Sequence, residues 1–150
     1  MFVASGVIIC AAAASSWRVL AQTPPLRPGE YDVTTEFSMT SRPAKMPAQK
    51  SVRCYTTQDI QDLPRRIGAR AGAEGCKVET SKMTGTTLTF ATECPAPMSI
   101  TSTGTITFTS PESFQAEVTT KDTSGRAGNP VLQGTMTANV TAKRIGECKK

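Results

Sequence analysis

Histidine is absent from the 150-residue chain, and no two of its five cysteines stand close together. Without histidine, the usual serine and cysteine catalytic triads and histidine-ligated metal centres are excluded. Without a Cys-x-x-Cys pair, neither a redox-active dithiol nor a zinc cluster is predicted. We therefore expect no metal ion, no cofactor and no catalytic residue of the common kinds.

Long apolar runs are also missing beyond the first residues of the chain. Residues 2–14 are apolar, too few for a membrane span but typical of the core of a signal peptide. Val19-Leu20-Ala21 resembles a cleavage site. The sequence predicts a signal peptide over residues 1–21, an N-terminal extension over 22–29 and a single β domain over 30–150. The mature protein would be periplasmic or secreted, with no transmembrane segment.

The charge excess is mild, a formal +5, well below what nucleic-acid binding requires. Part of it is concentrated in Arg65, Arg66 and Arg70. This cluster could contact anionic lipid headgroups or acidic polysaccharide, although basic clusters on short helices are more often simply solvated.

Alternating apolar and polar residues predict strands through most of the chain. Residues 30–39 place Tyr31, Val33 and Phe37 on one face, the pattern of a half-buried antiparallel strand. From Cys76 onward the pattern repeats in a Thr-rich sequence, whereas Thr56 begins a short helix that Pro64 limits. The predicted fold is all-β: a strongly curved antiparallel meander or small barrel of about seven strands with one short helix.

The inward positions are candidates for either a filled core or the lining of a ligand cavity. Gly104 and Gly134 fall in mid-strand, where glycine commonly marks a bend or bulge. The large inward side chains are few, and both interpretations remain open for Tyr31, Val33, Phe37, Phe90, Ile106, Phe108 and Phe114.

The four cysteines of the predicted mature chain are interpreted as two disulfides. A turn at Thr84-Gly85-Thr86 would place Val78 opposite Thr92 and Thr80 opposite Phe90, and the same register places Cys76 opposite Cys94. Directly opposed residues are close enough to be bridged. Cys54 is then left for Cys148.

Several segments resemble the bacterial domain of unknown function 3617 family, over nearly the whole mature chain. They are Leu26-Arg-Pro-Gly-Glu-Tyr-Asp-Val-Thr34, Cys54-Tyr-Thr56, Cys76-Lys-Val78, the Gly85 turn before Cys94, and Ala142-Lys-Arg-Ile-Gly-Glu-Cys148. Tyr31 stands where the family usually has Trp, and a Met-Pro-rich loop is reduced to Met39, Met46 and Pro47. The resemblance implies a Gram-negative envelope location, supports the disulfides and supplies no activity.

The residues of the chain leave two further candidate sites, a catalytic Ser-Lys dyad and a Cu(I) site. A Ser-Lys dyad could involve Ser81 or Ser113, but Ser81 and Lys82 are adjacent and point to opposite faces of a strand. Thioethers of Met39, Met46 and Met98 could bind Cu(I), although they lack close spacing.

We therefore expect an exported, non-catalytic binding or accessory module for a small apolar or envelope-derived ligand. A structural protein that pairs with an envelope partner is the alternative, and a His-independent hydrolase is the third hypothesis. The first requires an internal space or groove, the second an exposed apolar patch or unpaired strand edge, and the third a converging polar cluster.

Overall fold

A computed structural model describes residues 24–40, 46–68, 75–123 and 135–149. The predicted signal peptide, Arg70 and Gly134 lie outside these residues. Seven strands and two short helices are present: β1 (Gly29–Met39), β2 (Gln49–Tyr55), α1 (Thr57–Gln61), α2 (Leu63–Gly68), β3 (Lys77–Thr84), β4 (Thr87–Cys94), β5 (Ile100–Ser110), β6 (Ser113–Asp122) and β7 (Thr135–Gly146).

The strands form one antiparallel sheet in the order β2-β1-β7-β6-β5-β4-β3. β3 to β7 follow one another as a meander, and β7 then pairs with β1, so that strands from the two ends of the chain are neighbours. β2 and β3 are the edges and do not pair with each other. The sheet is thus curled but not closed. The predicted antiparallel meander is confirmed, and it does not close into a barrel.

Pro64 produces two helices where the sequence predicted one. Thr56 caps α1: its side chain accepts a hydrogen bond from the Asp59 N–H, and the Asp59 side chain accepts one from the Thr56 N–H. α1 ends at Gln61 with Asp62 as its C-cap, and Pro64 is the second residue of α2. Proline fits the first turn of a new helix but would clash with the preceding turn of a continuing one.

The β3–β4 hairpin differs from the predicted register at one end. Its turn has two residues rather than three, because Thr84 pairs with Thr87, and Gly85 takes the positive φ of 60° that such a turn favours. Because the turn is one residue shorter, Thr80 faces Ala91 and not Phe90. A bulge between Val78 and Thr80 then compensates for the missing residue. Beyond the bulge Val78 faces Thr92, as predicted.

Gly104 has a different role from the one expected. The register of β5 with both neighbouring strands is regular at this position, so no bulge occurs there. Instead, the ring of Phe90 lies against the Gly104 backbone. Glycine at this position allows the close approach of the Phe90 side chain.

The inner face of the sheet, defined by its buried side chains, carries the core. Ile60 of α1 and Leu63 of α2 pack there beside an aromatic cluster in which Tyr31 and Tyr55 meet edge to face, with ring centroids 5.4 Å apart. Of the predicted inward residues, six are buried: Tyr31, Val33, Phe90, Ile106, Phe108 and Phe114. Phe37 is half-buried.

Candidate functional site

A groove of about 470 Å³ lies on the inner face of the sheet. We call it the inner groove. It lies between strands β1, β2, β5, β6 and β7 and helix α2. Its lining comprises Val33, Thr35, Phe37, Met39, Met46, Gln49, Arg53, Tyr55, Arg66, Ile67, Ile100, Val118, Thr120, Met136, Ala138 and Val140.

The strand alternation of β1 and β7 builds the longest wall of the inner groove. Every second residue of β1 from Val33 to Met39 contributes, because side chains of a strand alternate between faces. On β7, Ala138 is directly opposite Phe37, and Met136 is opposite Met39. The small Ala138 beside Phe37 leaves the space that a larger residue would fill.

In the part of the chain that the structure describes, the inner face is therefore divided into a filled half and an open half. Where Ile60 of α1 and Leu63 of α2 join the core cluster, Tyr31 and Phe114 are at most 1% exposed. Further along β1, Thr35, Phe37 and Met39 are only half-buried and border the groove. Of the seven inward residues predicted from the sequence, Val33 and Phe37 line the groove, and all except Phe37 belong to the core.

Two arginines from different elements line the inner groove. Arg66 of α2 forms an ion pair with Asp59, with 2.6 Å between Nη2 and Oδ1. Arg53 comes from the edge strand β2 and is exposed. No carboxylate among the described residues lies within ion-pair distance of Arg53.

The capping box of α1 fixes the position of the Arg66 partner. Partial burial raises the pKa of Asp59, but hydrogen bonds from the Thr56 backbone and hydroxyl, together with Arg66, more than offset this and lower it. The carboxylate therefore stays charged at neutral pH. It holds one nitrogen of Arg66 and leaves the other donors of the guanidinium available.

Two members of the basic cluster predicted from the sequence have different surroundings. Arg65 pairs with Asp62 at 3.4 Å and is not part of the groove lining, whereas Arg66 is. Arg70 lies outside the described residues. Sequence reasoning missed Arg53 and Tyr55 as lining residues. Their alternation about Cys54 in a short strand was the available signal.

The methionines considered for copper are separated. Met39 and Met46 line the inner groove, but Met98 packs against Cys76 and Cys94. Met136 takes the third position in the groove. Within the described ranges, no group of three or more histidine, cysteine, aspartate or glutamate residues could hold a metal ion.

The serines considered for catalysis lie away from the groove. Ser81 and Lys82 are both exposed on β3. The Ser113 hydroxyl is hydrogen-bonded to the hydroxyls of Thr109 and Ser110, each at 2.7 Å. These contacts tie the β5–β6 turn together.

Two disulfides join Cys54 with Cys148 and Cys76 with Cys94, with Cα–Cα distances of 5.4 and 4.1 Å. These are the pairs predicted from the sequence. Cys54 stands between Arg53 and Tyr55 and points to the other face of β2, so its bridge anchors the strand that forms one groove wall. Disulfides of this kind are typical of oxidising, extracytoplasmic compartments.

No helix in the described part of the chain is long and apolar enough to cross a membrane. Comparisons with curated proteins and with solved structures found no significant match. A family model with the description "Protein of unknown function (DUF3617)" matches residues 26–148, which include both disulfides and every residue of the inner groove. The chain belongs to the domain of unknown function 3617 family.

Proposed function

We propose that the protein is an exported, non-catalytic binding module whose inner groove takes an apolar or envelope-derived ligand. The observation that carries the proposal is the part of the inner face where Phe37, Met39 and Met136 border space that none of the described elements fills. Burial of such surface by a ligand is favourable, because apolar area is removed from water.

The size and lining of the groove support this assignment. Small-molecule sites are mostly apolar clefts of roughly 300–1,000 Å³ with a few polar groups that orient the ligand. The inner groove, at about 470 Å³, falls within this range. Its polar members are hydroxyls, one amide and two guanidiniums, a small number set around an apolar floor.

The lining favours binding over reaction. Among the described residues that border the groove there is no carboxylate, lysine or thiol. A guanidinium remains protonated and cannot serve as a general base. The hydroxyls of Thr35 and Thr120 thus have no described base beside them in the groove, and activation of a nucleophile requires one.

A fluorescence titration with the neutral apolar probe N-phenylnaphthylamine tests the proposal. The wild-type protein is expected to give a saturable increase in emission. Ala138→Trp fills the groove and should abolish it, whereas Asn139→Trp, on the adjacent outward position of β7, should retain it. Circular dichroism checks that both variants are folded. Equal binding by both variants, or no binding by the wild type, would overturn the proposal.

Native mass spectrometry of the protein purified from its own envelope adds the identity of the ligand. We expect a co-purifying small-molecule mass that is lost in Ala138→Trp. A co-purifying protein mass would instead favour an interaction role.

The second candidate function is pairing with an envelope protein through the β2 edge. In the part of the chain that the structure describes, β2 pairs only with β1, and Val52 on this strand is 59% exposed. An unpaired edge can accept an extra strand from a partner. A photo-cross-linking residue at Val52, with Thr103 of the central strand β5 as the control, should capture such a partner at the edge only.

A further inference from the structure

We propose that the ligand of the inner groove is a single-chain amphiphile with an anionic head, its chain along β1 and β7 and its head at Arg53 and Arg66. This inference rests on the proposed function, which it narrows to one class of molecule. The relationship that carries it is the placement of two guanidiniums beside an apolar groove whose described lining has no negative charge.

The carboxylates in the middle of β1 lie on the face of the sheet opposite to Arg53. Arg53 lies on the inner face, in the alternation that also places Gln49 and Tyr55 there. The acidic residues in the middle of β1, Asp32 and Glu36, occupy the alternate positions and are exposed on the outer face. A period of two therefore keeps these carboxylates away from the groove. An anion in the groove would therefore lie near the two arginines and away from the carboxylates of Asp32 and Glu36.

The two arginines differ in a way that suits a headgroup site. Arg66 is held by Asp59, whose own position is fixed by Thr56, so its remaining donors are oriented before a ligand arrives. Arg53 has no described carboxylate partner; its side chain interacts with the neutral phenol of Tyr55, so its positive charge is not neutralised by that contact. Guanidinium groups bind carboxylate and phosphate oxygens through paired, charge-assisted hydrogen bonds.

The rest of the lining suits a hydrocarbon chain. Val118 and Val140 form a buried floor, and Met39, Met46 and Met136 border the groove with flexible thioether side chains. Methionine adapts to irregular apolar shapes at little cost, so chains of different length can be accommodated. An acidic polysaccharide would satisfy the arginines but would leave this apolar surface uncovered.

Competition against bound N-phenylnaphthylamine tests the inference with compounds that share one hydrocarbon chain and differ in their headgroups. The competitors are dodecanoate, dodecyl phosphate, dodecanol and dodecyltrimethylammonium, the ionic ones below their critical micelle concentrations and dodecanol below its solubility limit. We expect both anions to displace the probe at concentrations about tenfold lower than dodecanol, the scale of one charge-assisted contact. The ammonium compound should be the weakest competitor.

Variants assign the preference to the two arginines. Arg53→Gln/Arg66→Gln should remove the advantage of the anions over dodecanol. Arg27→Gln/Lys149→Gln removes the same charge from exposed positions outside the groove and should retain the preference. If the double groove variant fails to fold, Arg53→Gln alone suffices, since this side chain is exposed and holds no described ion pair.

The outcomes separate this inference from the proposed function. Equal displacement by dodecanol and the anions would overturn the anionic head and leave the groove as a binding site. A preference that survives in the arginine variant, or that is lost equally in the control, would also overturn it. Absence of probe binding in the wild type would remove the proposed function and this inference together.

Discussion

The ring of Phe90 occupies the place where a side chain at position 104 would begin. The two residues face each other across β4 and β5, and a Cβ built on Gly104 would lie 2.5 Å from Cζ of Phe90 and 2.7 Å from Cε1. Both carbons belong to a buried ring, which has little room to move. The packing of the inner face therefore depends on glycine at this position.

Gly104→Ala is expected to lower the free energy of unfolding by about 1–3 kcal/mol, the usual cost of overpacking a core. Urea denaturation measures it. Thr103→Ala, at the exposed neighbouring position, is the control and should change stability by less than about 0.5 kcal/mol. The double variant Phe90→Leu/Gly104→Ala should lose less free energy of unfolding than the sum of the losses in the two single variants, because the leucine side chain no longer clashes with the new Cβ. Equal stability of the Gly104→Ala and Thr103→Ala variants would contradict this role of the glycine.

The two disulfides should differ in their sensitivity to a mild reductant under native conditions. Cys76 and Cys94 are 5% and 2% exposed, whereas Cys54 lies on the exposed edge strand. A thiolate must reach a sulfur to attack it, so the Cys54–Cys148 bridge should open first. Alkylation followed by peptide mass spectrometry records the order. Simultaneous release of all four thiols would show that global unfolding controls reduction.

Removal of each bridge should have a different effect on the groove. On the loop-entropy model, Cys54→Ser/Cys148→Ser costs about 4–5 kcal/mol and Cys76→Ser/Cys94→Ser about 3 kcal/mol. Because only the first bridge anchors the strand that carries Arg53 and Tyr55, N-phenylnaphthylamine affinity should fall more in that variant. Titration at a temperature where both variants are folded makes the comparison. Equal affinities would mean that β2 keeps its position without the bridge.

The chain has two tyrosines, and both should titrate abnormally late. Burial raises the pKa of Tyr31 to about 12, against an opposing effect of Arg144, and burial also raises the pKa of Tyr55, against Arg53. In denaturant both should ionise near pH 10. Ultraviolet titration of tyrosinate should therefore show little ionisation in the folded protein at about pH 10.

The difference between the folded and unfolded pKa values of the tyrosines also determines how the stability of the protein changes at alkaline pH. A phenol whose folded pKa is raised stabilises the folded state fully below its unfolded pKa, and that stabilisation is lost as the pH rises from about 10 toward the folded value. Unfolding at high pH should accordingly become easier. Tyr31→Phe loses the hydrogen bond that the phenol donates to the Arg27 carbonyl at 2.5 Å, which costs about 1 kcal/mol at neutral pH. Its stability should then fall less steeply with rising pH.

Asp59→Asn should weaken the start of α1 in a pH-dependent manner. The folded pKa of Asp59 is lowered, so its stabilising effect is present above the unfolded value of 3.8 and is lost as the pH falls below it. Loss of the cap should cost about 1 kcal/mol at neutral pH. Chemical denaturation should show that the difference in free energy of unfolding between the variant and the wild type is smaller at acid pH than at neutral pH. Asp62→Asn, which affects only an exposed ion pair, is the control and should change little.

Much of the architecture could be predicted from short-range patterns. The alternation of residues 30–39 predicted β1, the Thr56 cap predicted α1, and strand pairing near the Gly85 turn predicted the bridge between Cys76 and Cys94. These features depend on backbone period, capping and local turns, which neighbouring residues determine. The cysteine register was right although the turn length was wrong, because the bulge in β3 compensates for it.

Only the tertiary structure decided which half of the inner face is filled and which is open. The aromatic cluster at Tyr31 and the groove at Phe37 arise from the same alternating strand, and they differ because Ile60 and Leu63 of the helices pack into the cluster and do not reach the groove lining. Likewise Arg53 of β2 and Arg66 of α2 both line the groove, while Arg65 does not. A period of two assigns a side chain to a face, but what lies above that face depends on contacts between distant segments, and no local pattern encodes them.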